Sequence, residues 1–312
     1  MPLYDDTRQM KRQEMLALQR KRKRQVRMRR TVAVLFLVCF IALAIIAIQT
    51  SLFGLLGDHE SAQSSGTPGP DVEAQTAQQT QQQQVTPPPP PGPVVAIVVD
   101  DTGDSDAHLQ EWLAIKSPVT FSIMPYCGNT KSDAEVLQAA GKQVMLHCPE
   151  ENEKPNSYSG KGQMASGMDQ ATVNATLDAD AAQIPGLVGM NNHQGGSAGN
   201  DLELQRKVAR WCVDRGLFLM DSMASMKPVA YKAAQEMGMP VRKNNVFIDH
   251  DNDPNYIRSA MRELADLARK NGTAIGICHF GRPNTARTVG EMIKTLEAEG
   301  IRFDFVSKIS NP

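Results

Sequence analysis

The chain has 312 residues, and 41% of them are hydrophobic, an ordinary composition for a globular protein with room for one large domain and extensions. Its charges are unevenly distributed: residues 1–30 hold eleven Lys or Arg and three Asp or Glu, and the remainder has 22 basic and 31 acidic residues, a net charge of −9. This acidic remainder argues against a nucleic acid or another polyanion as partner.

The first two segments predict a membrane attachment. Residues 1–30 are a basic cytoplasmic segment, and residues 31–56 begin with the uncharged run TVAVLFLVCFIALAIIAIQ. About 20 apolar residues cross the hydrocarbon core of a bilayer, so we predict a single transmembrane signal anchor at 31–56. A cleaved signal peptide is the alternative, although its apolar region normally has only about 7–15 residues. Basic residues before the span predict that all later residues lie outside the cytoplasmic (inner) membrane, on its periplasmic or extracellular side.

Residues 57–93 are predicted to form a disordered linker. The segment is rich in glutamine and has almost no large apolar side chain, so it cannot build a core. The run Pro87–Pro91 favours an extended, semi-rigid conformation. We therefore expect this segment to hold the following domain, residues 94–312, away from the bilayer.

The last 219 positions alternate apolar runs with amphipathic ones. Strands are predicted at 94–99, 119–124, 143–148, 187–190, 217–220, 246–248, 274–278 and 303–306. Helical patterns occupy 109–115, 131–141, 169–184, 200–216 and 253–272, and Asp169 and Asp253 are expected N-caps. This alternation predicts an α/β fold, a distorted (β/α) barrel of seven or eight strands, with a doubly wound open sheet as the alternative. No glycine-rich nucleotide motif follows the first strand.

Polar residues stand where the predicted strands end, which is where barrel enzymes collect their working side chains. They are Asp100 and Asp101 after the first strand, His147 after the third, His193 after the fourth, Asp221 after the fifth, Asp249 after the sixth and His279 after the seventh.

Three of these residues suit a metal ion. Asp101, His147 and His193 offer one carboxylate and two imidazoles, a set that fits Zn²⁺ or another first-row divalent ion. A bound cation would also relieve the repulsion between Asp100 and Asp101, leaving Asp100 as the general base. The alternative interpretations are structural: an aspartate after a strand often caps a helix, and His147 can be a core histidine.

A polar segment, NNHQGGSAGND at residues 191–201, follows the fourth predicted strand and is interpreted as a functional loop. It contributes the predicted substrate-binding residues Asn191, Asn192 and Gly195, to which Asp249 is added. Asp249 has a solvated loop as its alternative. Glu150 and Glu151 are interpreted as surface residues.

The cysteines leave their state open. Cys127 and Cys148 fall at predicted strand ends and form a candidate disulfide in an oxidising compartment. The outer segment has no C-x-x-C spacing, which argues against a zinc knuckle.

The ordered motifs IVVDDTG, SIMP, VMLHCP, GMNNHQGG, FLMDS, VFIDHD and AIGICHFGRP resemble those of the divergent polysaccharide deacetylases. The resemblance covers residues 94–310 and implies a distorted (β/α) barrel. It also implies that Asp100 is the base, that Asp101 is a metal ligand and that His279 protonates the leaving amine. Asp221 would stand for the acidic residue that orients a catalytic partner.

The chain departs from this family pattern at the metal site and at the edge of the pocket. Related deacetylases place two histidines four residues apart after the third strand, whereas only His147 is present here, so His193 is chosen as the other ligand on geometric grounds. The arginine of the fourth-strand motif is also missing, and the Phe280–Gly281 pair looks inserted.

The predicted activity is metal-dependent removal of acetyl groups from a cell-envelope polysaccharide or amino sugar. One alternative is a non-catalytic glycan-binding or scaffold protein of the envelope with the same fold. Another is a metal-dependent glycosidase or phosphoesterase. A glycosidase would need two carboxylates about 5–9.5 Å apart across one bond, and the histidines at the strand ends would then have no role.

Overall fold

A computed structural model describes residues 92–153 and 158–312 of the protein. The predicted cytoplasmic segment, the anchor and nearly all of the linker lie outside these residues. Within the two described ranges, no helix is both long and apolar enough to cross a membrane.

The centre of the fold is a curled sheet in which all strand pairs are parallel. The strands are β1 Val94–Thr102, β2 Thr120–Ile123, β3 Gln143–Glu150, β4 Gly189–Gln194, β5 Phe218–Met220, β6 Val246–Phe247, β7 Thr273–His279 and β8 Arg302–Phe303. Seven of them follow the order β5-β4-β3-β2-β1-β7-β6, and β8 pairs with β1.

A single bridge between Asp221 and Lys243 joins the two ends of this path. The Asp221 amide donates to the Arg242 carbonyl at 2.9 Å, and the Asn244 amide donates to the Asp221 carbonyl at 2.9 Å. The curled parallel sheet therefore matches the (β/α) barrel predicted from the sequence.

Helices cover the outer face of the sheet. They are α1 Leu109–Ala114, α2 Thr130–Ala139, α3 Gln170–Ala181, α4 Leu202–Asp214, α5 Ala230–Glu236, α6 Pro254–Asn271 and α7 Thr285–Ala298. The predicted caps are confirmed: Asp169 accepts from the Thr172 amide, and Asp253 accepts from the amides of the first turn of α6. Gly272 ends α6 with a φ of 86°, a conformation that only glycine adopts without strain.

Several predicted boundaries were wrong, and β1 and β3 continue to Thr102 and Glu150. Strand β4 extends through Asn191–Gln194, which was interpreted as loop, and β8 has only two residues where four were predicted. Helices α5 and α7 were not predicted from the sequence. The polar end of β4 has the pairing of a strand because His147–Glu150 of β3 lies opposite it in register.

Successive side chains along each strand point to opposite faces of the sheet, so they form two separate buried layers. One set packs between sheet and helices, as Ile97 and Val99 do on β1. The other set fills the barrel lumen with apolar side chains, namely Ala96, Val98, Met145, Phe218, Met220, Ile275 and Ile277. The next lumen-facing positions toward the carboxyl ends of the strands are polar, and they begin the candidate site.

The chain's last residues close the opposite end of the barrel. Val306 and Ile309 pack into the lower apolar layer. Arg242, which precedes β6, holds this segment by donating to the Val306 carbonyl at 3.0 Å and to the Ser307 carbonyl at 2.8 Å. The lumen is therefore closed at the amino ends of the strands.

Candidate metal centre

An irregularity in β1 brings two neighbouring aspartates to one cavity. Neighbours on a regular strand face opposite sides, so Asp100 continues the lumen row and Asp101 would face the helices. The β1–β2 register shifts between Val99 and Thr102, and Asp101 has a φ of 59°. The pair was predicted to end the strand, but β1 continues to Thr102, and this local distortion turns both carboxylates toward the cavity.

All non-glycine residues with positive φ in the described ranges lie at this end of the barrel. They are Asp101, Tyr126, Gln194 and Met223, each at the end of a strand or in the loop that follows it. Such backbone costs about 1–3 kcal/mol per residue and concentrates at functional sites.

Asp101, His147 and His193 converge on one point. Asp101 Oδ1 lies 3.0 Å from His193 Nδ1 and 3.3 Å from His147 Nε2. The two ring nitrogens are 3.1 Å apart. A tetrahedral ion with ligand bonds of about 2.0–2.1 Å separates its ligand atoms by roughly 3.3–3.4 Å, so the three atoms have nearly the spacing that a small divalent ion imposes.

The chemistry of these three atoms also fits a cation. Asp101 Oδ1 is buried and makes no hydrogen bond of acceptable geometry, although two ring nitrogens face it. A buried carboxylate oxygen without such a bond is costly, and a positive ion would satisfy it. Asp101, His147 and His193 would hold the ion and leave further coordination positions open.

The charges around this point are strongly coupled. Burial raises the pKa of the Asp101 carboxyl, but His147 and His193 outweigh it and hold that pKa well below its usual range. Burial lowers the pKa of His147, yet the adjacent Asp100 and Asp101 raise it to about 9. Burial is the main reason that the pKa of Asp100 is raised. The cluster thus attracts positive charge, as protons or as a metal ion.

Asp100 lies beside the triad and outside it. Its Oδ2 is 3.7 Å from His147 Nε2, and its Oδ1 accepts a hydrogen bond from Asn191 Nδ2 at 2.9 Å. Its side chain is only 4% exposed. This places a carboxylate with a raised pKa next to the point where the three ligands converge.

His279 stands on the strand next to Asp100, and the two residues are partners in the β1–β7 register. Its Nδ1 is 2.7 Å from Asp249 Oδ1, and its amide donates to Asp249 Oδ2 at 2.8 Å. The carboxylate requires a hydrogen on Nδ1, so Nε2 is the ring atom left for chemistry. Burial alone would lower the pKa of His279. The Asp249 carboxylate has the opposite effect, and the pKa of His279 is raised above its ordinary value.

Two cavities flank these residues. One, of about 300 Å³, is lined by Asp100, Asp101, His147, Asn152, Asn192, His193, Gln194, Gly196, Ser222, Ala224, Phe247 and His279. The other, of about 580 Å³, shares Asp101, His193 and His279 and extends to Cys127, Phe280 and Arg282. A substrate can therefore approach the triad from two sides.

Several predicted site residues have other positions. Asp221 does not line either cavity or contact His279; its carboxylate accepts from the Met223 and Tyr231 amides. Asp249 is fully buried, lines neither cavity and contacts His279 at Nδ1, the position that was expected of Asp221.

The predicted substrate-binding residues of the 191–201 segment also differ in position, and only some of them line a cavity. Asn191 is fully buried, whereas Asn192 lines the smaller cavity. Gly195 does not line it; with a φ of 86°, it passes so close to Glu150 that a Cβ would lie 2.4 Å from Glu150 Oε2. Gly195 is therefore required for the course of the loop.

Glu150 and the cysteines also differ from expectation. Glu150 is fully buried, where a surface position was predicted, and burial raises its pKa to about 8. Its Oε1 accepts from Gln205 Nε2 at 2.7 Å. The thiols of Cys127 and Cys148 are not joined, so the candidate disulfide is absent.

Comparison with known proteins gives the family. A sequence model described as "Divergent polysaccharide deacetylase" matches residues 97–310. The chain belongs to this family. The match confirms the resemblance noted from the motifs, and it spans all eight strands except the first residues of β1.

The chain is also similar to curated bacterial proteins. It is 28% identical over 201 residues to the uncharacterised protein YibQ of Escherichia coli K12, covering 64% of this chain and 62% of that one. It is 28% identical over 204 residues to an uncharacterised protein of Haemophilus influenzae, covering 64% and 71%. The matched region thus spans less than two thirds of the E. coli protein.

Solved structures share the fold. An uncharacterised protein from Agrobacterium tumefaciens C58 superposes with a TM-score of 0.65 at 23% identity, covering 70% of this chain and 89% of its own. A protein from Enterococcus faecalis V583 superposes with a TM-score of 0.52 at 13% identity, covering 70% and 99%. At these identities the likeness supports the fold alone.

Proposed function

We propose that this protein is a metal-dependent hydrolase that removes acetyl groups from an amino sugar of a cell-envelope polysaccharide. The observation that carries the proposal is the convergence of Asp101, His147 and His193, with Asp100 on one side and the Asp249–His279 pair on the other. Membership in the divergent polysaccharide deacetylase family supports the class of substrate.

The proposed chemistry assigns a separate task to each group. A divalent ion held by Asp101, His147 and His193, with zinc as the first candidate, supplies a Lewis acid for the acetyl carbonyl and lowers the pKa of the attacking water. Asp100 takes the proton of that water, because its carboxylate lies at the edge of the triad and burial raises its pKa. His279, held at Nδ1 by Asp249, gives the Nε2 proton to the departing amine.

We also propose that the domain works outside the cytoplasmic membrane, anchored by residues 31–56. The basic residues before that apolar run support this orientation. The envelope polysaccharide would then be reached across the linker of residues 57–93.

Two substitutions test the assignment. Asp101→Asn removes an anionic ligand, so we expect bound zinc and acetate release to be lost together. Asp100→Asn keeps the ligands, so we expect zinc to remain while acetate release falls about 10²–10⁴-fold. Zinc content is measured by elemental analysis and acetate by a coupled assay on an acetylated glycan, with the exposed cap variant Asp253→Asn as control.

The rival functions give different results in the same assays. A non-catalytic glycan-binding protein would release no acetate in the zinc-loaded wild type. A glycosidase would produce new reducing ends instead of acetate. Zinc content and acetate release that are unchanged in both variants would refute the proposed site.

A further inference from the structure

Asn191 lies beneath the triad, inside the barrel. It faces His147 in the β3–β4 register, and its side chain is fully buried. Its Oδ1 is 2.5 Å from Ser122 Oγ and 2.7 Å from His147 Nδ1, and its Nδ2 is 2.9 Å from Asp100 Oδ1. Because it is covered on all sides by protein, Asn191 cannot touch a polysaccharide, and its role must lie in these contacts.

The contacts allow only one orientation of the Asn191 amide. Its nitrogen donates to Asp100, which is ionised in its proposed role as the base and then only accepts hydrogen bonds. Turning the amide around would place two acceptor oxygens 2.9 Å apart in a buried space, which is strongly unfavourable. The amide oxygen therefore faces Ser122 Oγ and His147 Nδ1.

This orientation determines which nitrogen of His147 carries hydrogen. An amide oxygen only accepts hydrogen bonds, so His147 Nδ1 must be the donor. In neutral His147 the lone pair then belongs to Nε2, the atom 3.3 Å from Asp101 Oδ1 and 3.1 Å from His193 Nδ1. Once a cation displaces the second proton of His147, the ring presents Nε2 at the point of convergence. Asn191 Oδ1 then supplies the acceptor that a metal-bound histidine needs at its other nitrogen.

We propose that Asn191 is a positioning residue with two simultaneous tasks, fixing His147 as an Nε2 ligand and holding Asp100 beside it. The inference rests on the proposed metal-dependent function. A single neutral amide then couples the ligand to the base, and Ser122 supports it from β2 by donating to the same oxygen. No charged group is needed for this coupling.

The experiment uses the full-length chain in detergent and measures zinc affinity by competition with a chelator. Asn191→Leu keeps the volume and removes the hydrogen bonds, and Asn191→Ala removes both. We expect zinc affinity to fall about 10–100-fold in each, the usual cost of losing a partner of a metal-bound histidine. Ser122→Ala removes one of two donors to Oδ1, so its loss should be smaller.

The matched control is Asn244→Ala. Asn244 is also a nearly buried barrel asparagine, but its Oδ1 accepts from the Val246 and Ile277 amides, away from the triad. We expect Asn244→Ala to lower the temperature of unfolding without changing zinc affinity. If the Asn191 variants bind zinc as tightly as Asn244→Ala does, the inference is overturned.

A measurement on the wild type keeps the inference testable if the Asn191 variants do not fold. In the zinc-loaded protein, ¹⁵N NMR with labelled histidine should find His147 protonated at Nδ1 and bound through Nε2; binding through Nδ1 would overturn the inference. Wild-type protein that binds no zinc would refute the proposed function first, and this inference with it. Failure of this inference alone requires a wild type that binds zinc.

Discussion

The two histidines of the triad are held in different ways. His147 is 3% exposed, and its Nδ1 faces the buried amide oxygen of Asn191. His193 is 20% exposed, and its Nε2 lies 3.1 Å from Nε2 of Gln194, an exposed side chain at the end of β4. We call the first region the floor (Asp100, Ser122, His147 and Asn191) and the second the rim (His193, Gln194 and Asn152).

The difference concerns the hydrogen on each ring. The Gln194 amide nitrogen is a donor, so His193 Nε2 accepts and its hydrogen sits on Nδ1, the atom that faces Asp101. Binding a cation through Nδ1 therefore requires neutral His193 to change tautomer, whereas neutral His147 already has the tautomer that leaves Nε2 free, because its Nδ1 donates to Asn191. A cation must also displace the second proton of His147, whose pKa the adjacent aspartates raise to about 9. The Gln194 amide is held in its orientation by Asn152, whose Nδ2 donates to Gln194 Oε1 at 3.0 Å. The floor therefore holds His147 in the tautomer that a ligand needs, whereas the rim holds His193 in the opposite one.

Replacing each histidine by alanine gives the largest expected effects. His147→Ala should lower zinc affinity by more than the about 10–100-fold typical of an outer partner, because it removes a preset ligand. His193→Ala should cost less, since this ring is more exposed and must change tautomer against the Gln194 amide before it can bind. Competition with a chelator measures both. An equal or larger loss in His193→Ala would contradict the comparison.

Asp249→Asn tests a buried partner on a histidine outside the triad. Asp249 raises the pKa of His279 against the effect of burial, and a general acid must be protonated to work. Without the Asp249 charge, we expect the alkaline limb of the pH–rate profile to move to lower pH and the rate to fall about 10²–10⁴-fold. Zinc affinity should stay unchanged. An alkaline limb that does not move would separate Asp249 from proton transfer.

Glu150→Gln tests the support beneath the rim. The unfolded Glu150 carboxyl ionises near its reference pKa of 4.5, while the folded one keeps its proton until about pH 8. In that window the unfolded state binds fewer protons, so the free energy of unfolding of the wild type should fall as pH rises. Urea unfolding across this range should show a shallower fall in Glu150→Gln. Identical slopes would mean that Glu150 is ionised in the folded protein.

Gln194→Glu gives the smallest expected effect and the only gain. A carboxylate at this position accepts a hydrogen from His193 Nε2, which frees Nδ1 for the cation. We expect zinc affinity to rise by up to about tenfold, in the direction that carboxylate partners of metal-bound histidines produce. Gln194→Ala is the control, and it should change affinity less. A loss of affinity in Gln194→Glu would show that the rim does not act through this hydrogen.

The strand ends could be predicted from the sequence because the relevant signal is local. An apolar run that stops at an aspartate or histidine marks the carboxyl end of a barrel strand, and this signal indicates Asp101 and His147. His193 stands in the polar segment after the fourth predicted strand and was chosen as a ligand on geometric grounds. The polar stretch Asn191–Gln194 shows the limit of the signal. The upper lumen of a small barrel is lined with polar side chains, so a strand that crosses it has the composition of a loop.

Local sequence patterns do not predict which side chains will contact each other when they lie far apart in the chain. Asp221 and Asp249 both follow a strand, and only the fold shows that one serves its own loop while the other reaches His279, 30 residues away. The backbone turn at Asp101 depends on a register shift between β1 and β2, and no residue type in the sequence predicts such a shift. Burial of Glu150 likewise depends on Gln205 and on a glycine that permits close approach.

The packing of Val306 and Ile309 into the lower lumen has a kinetic consequence. A pocket sealed at its base opens at the carboxyl ends of the strands, so under the proposed function acetate and the deacetylated sugar must both leave on that side of the barrel. Added acetate would then occupy the space that the incoming acyl group needs, and it should act as a competitive inhibitor.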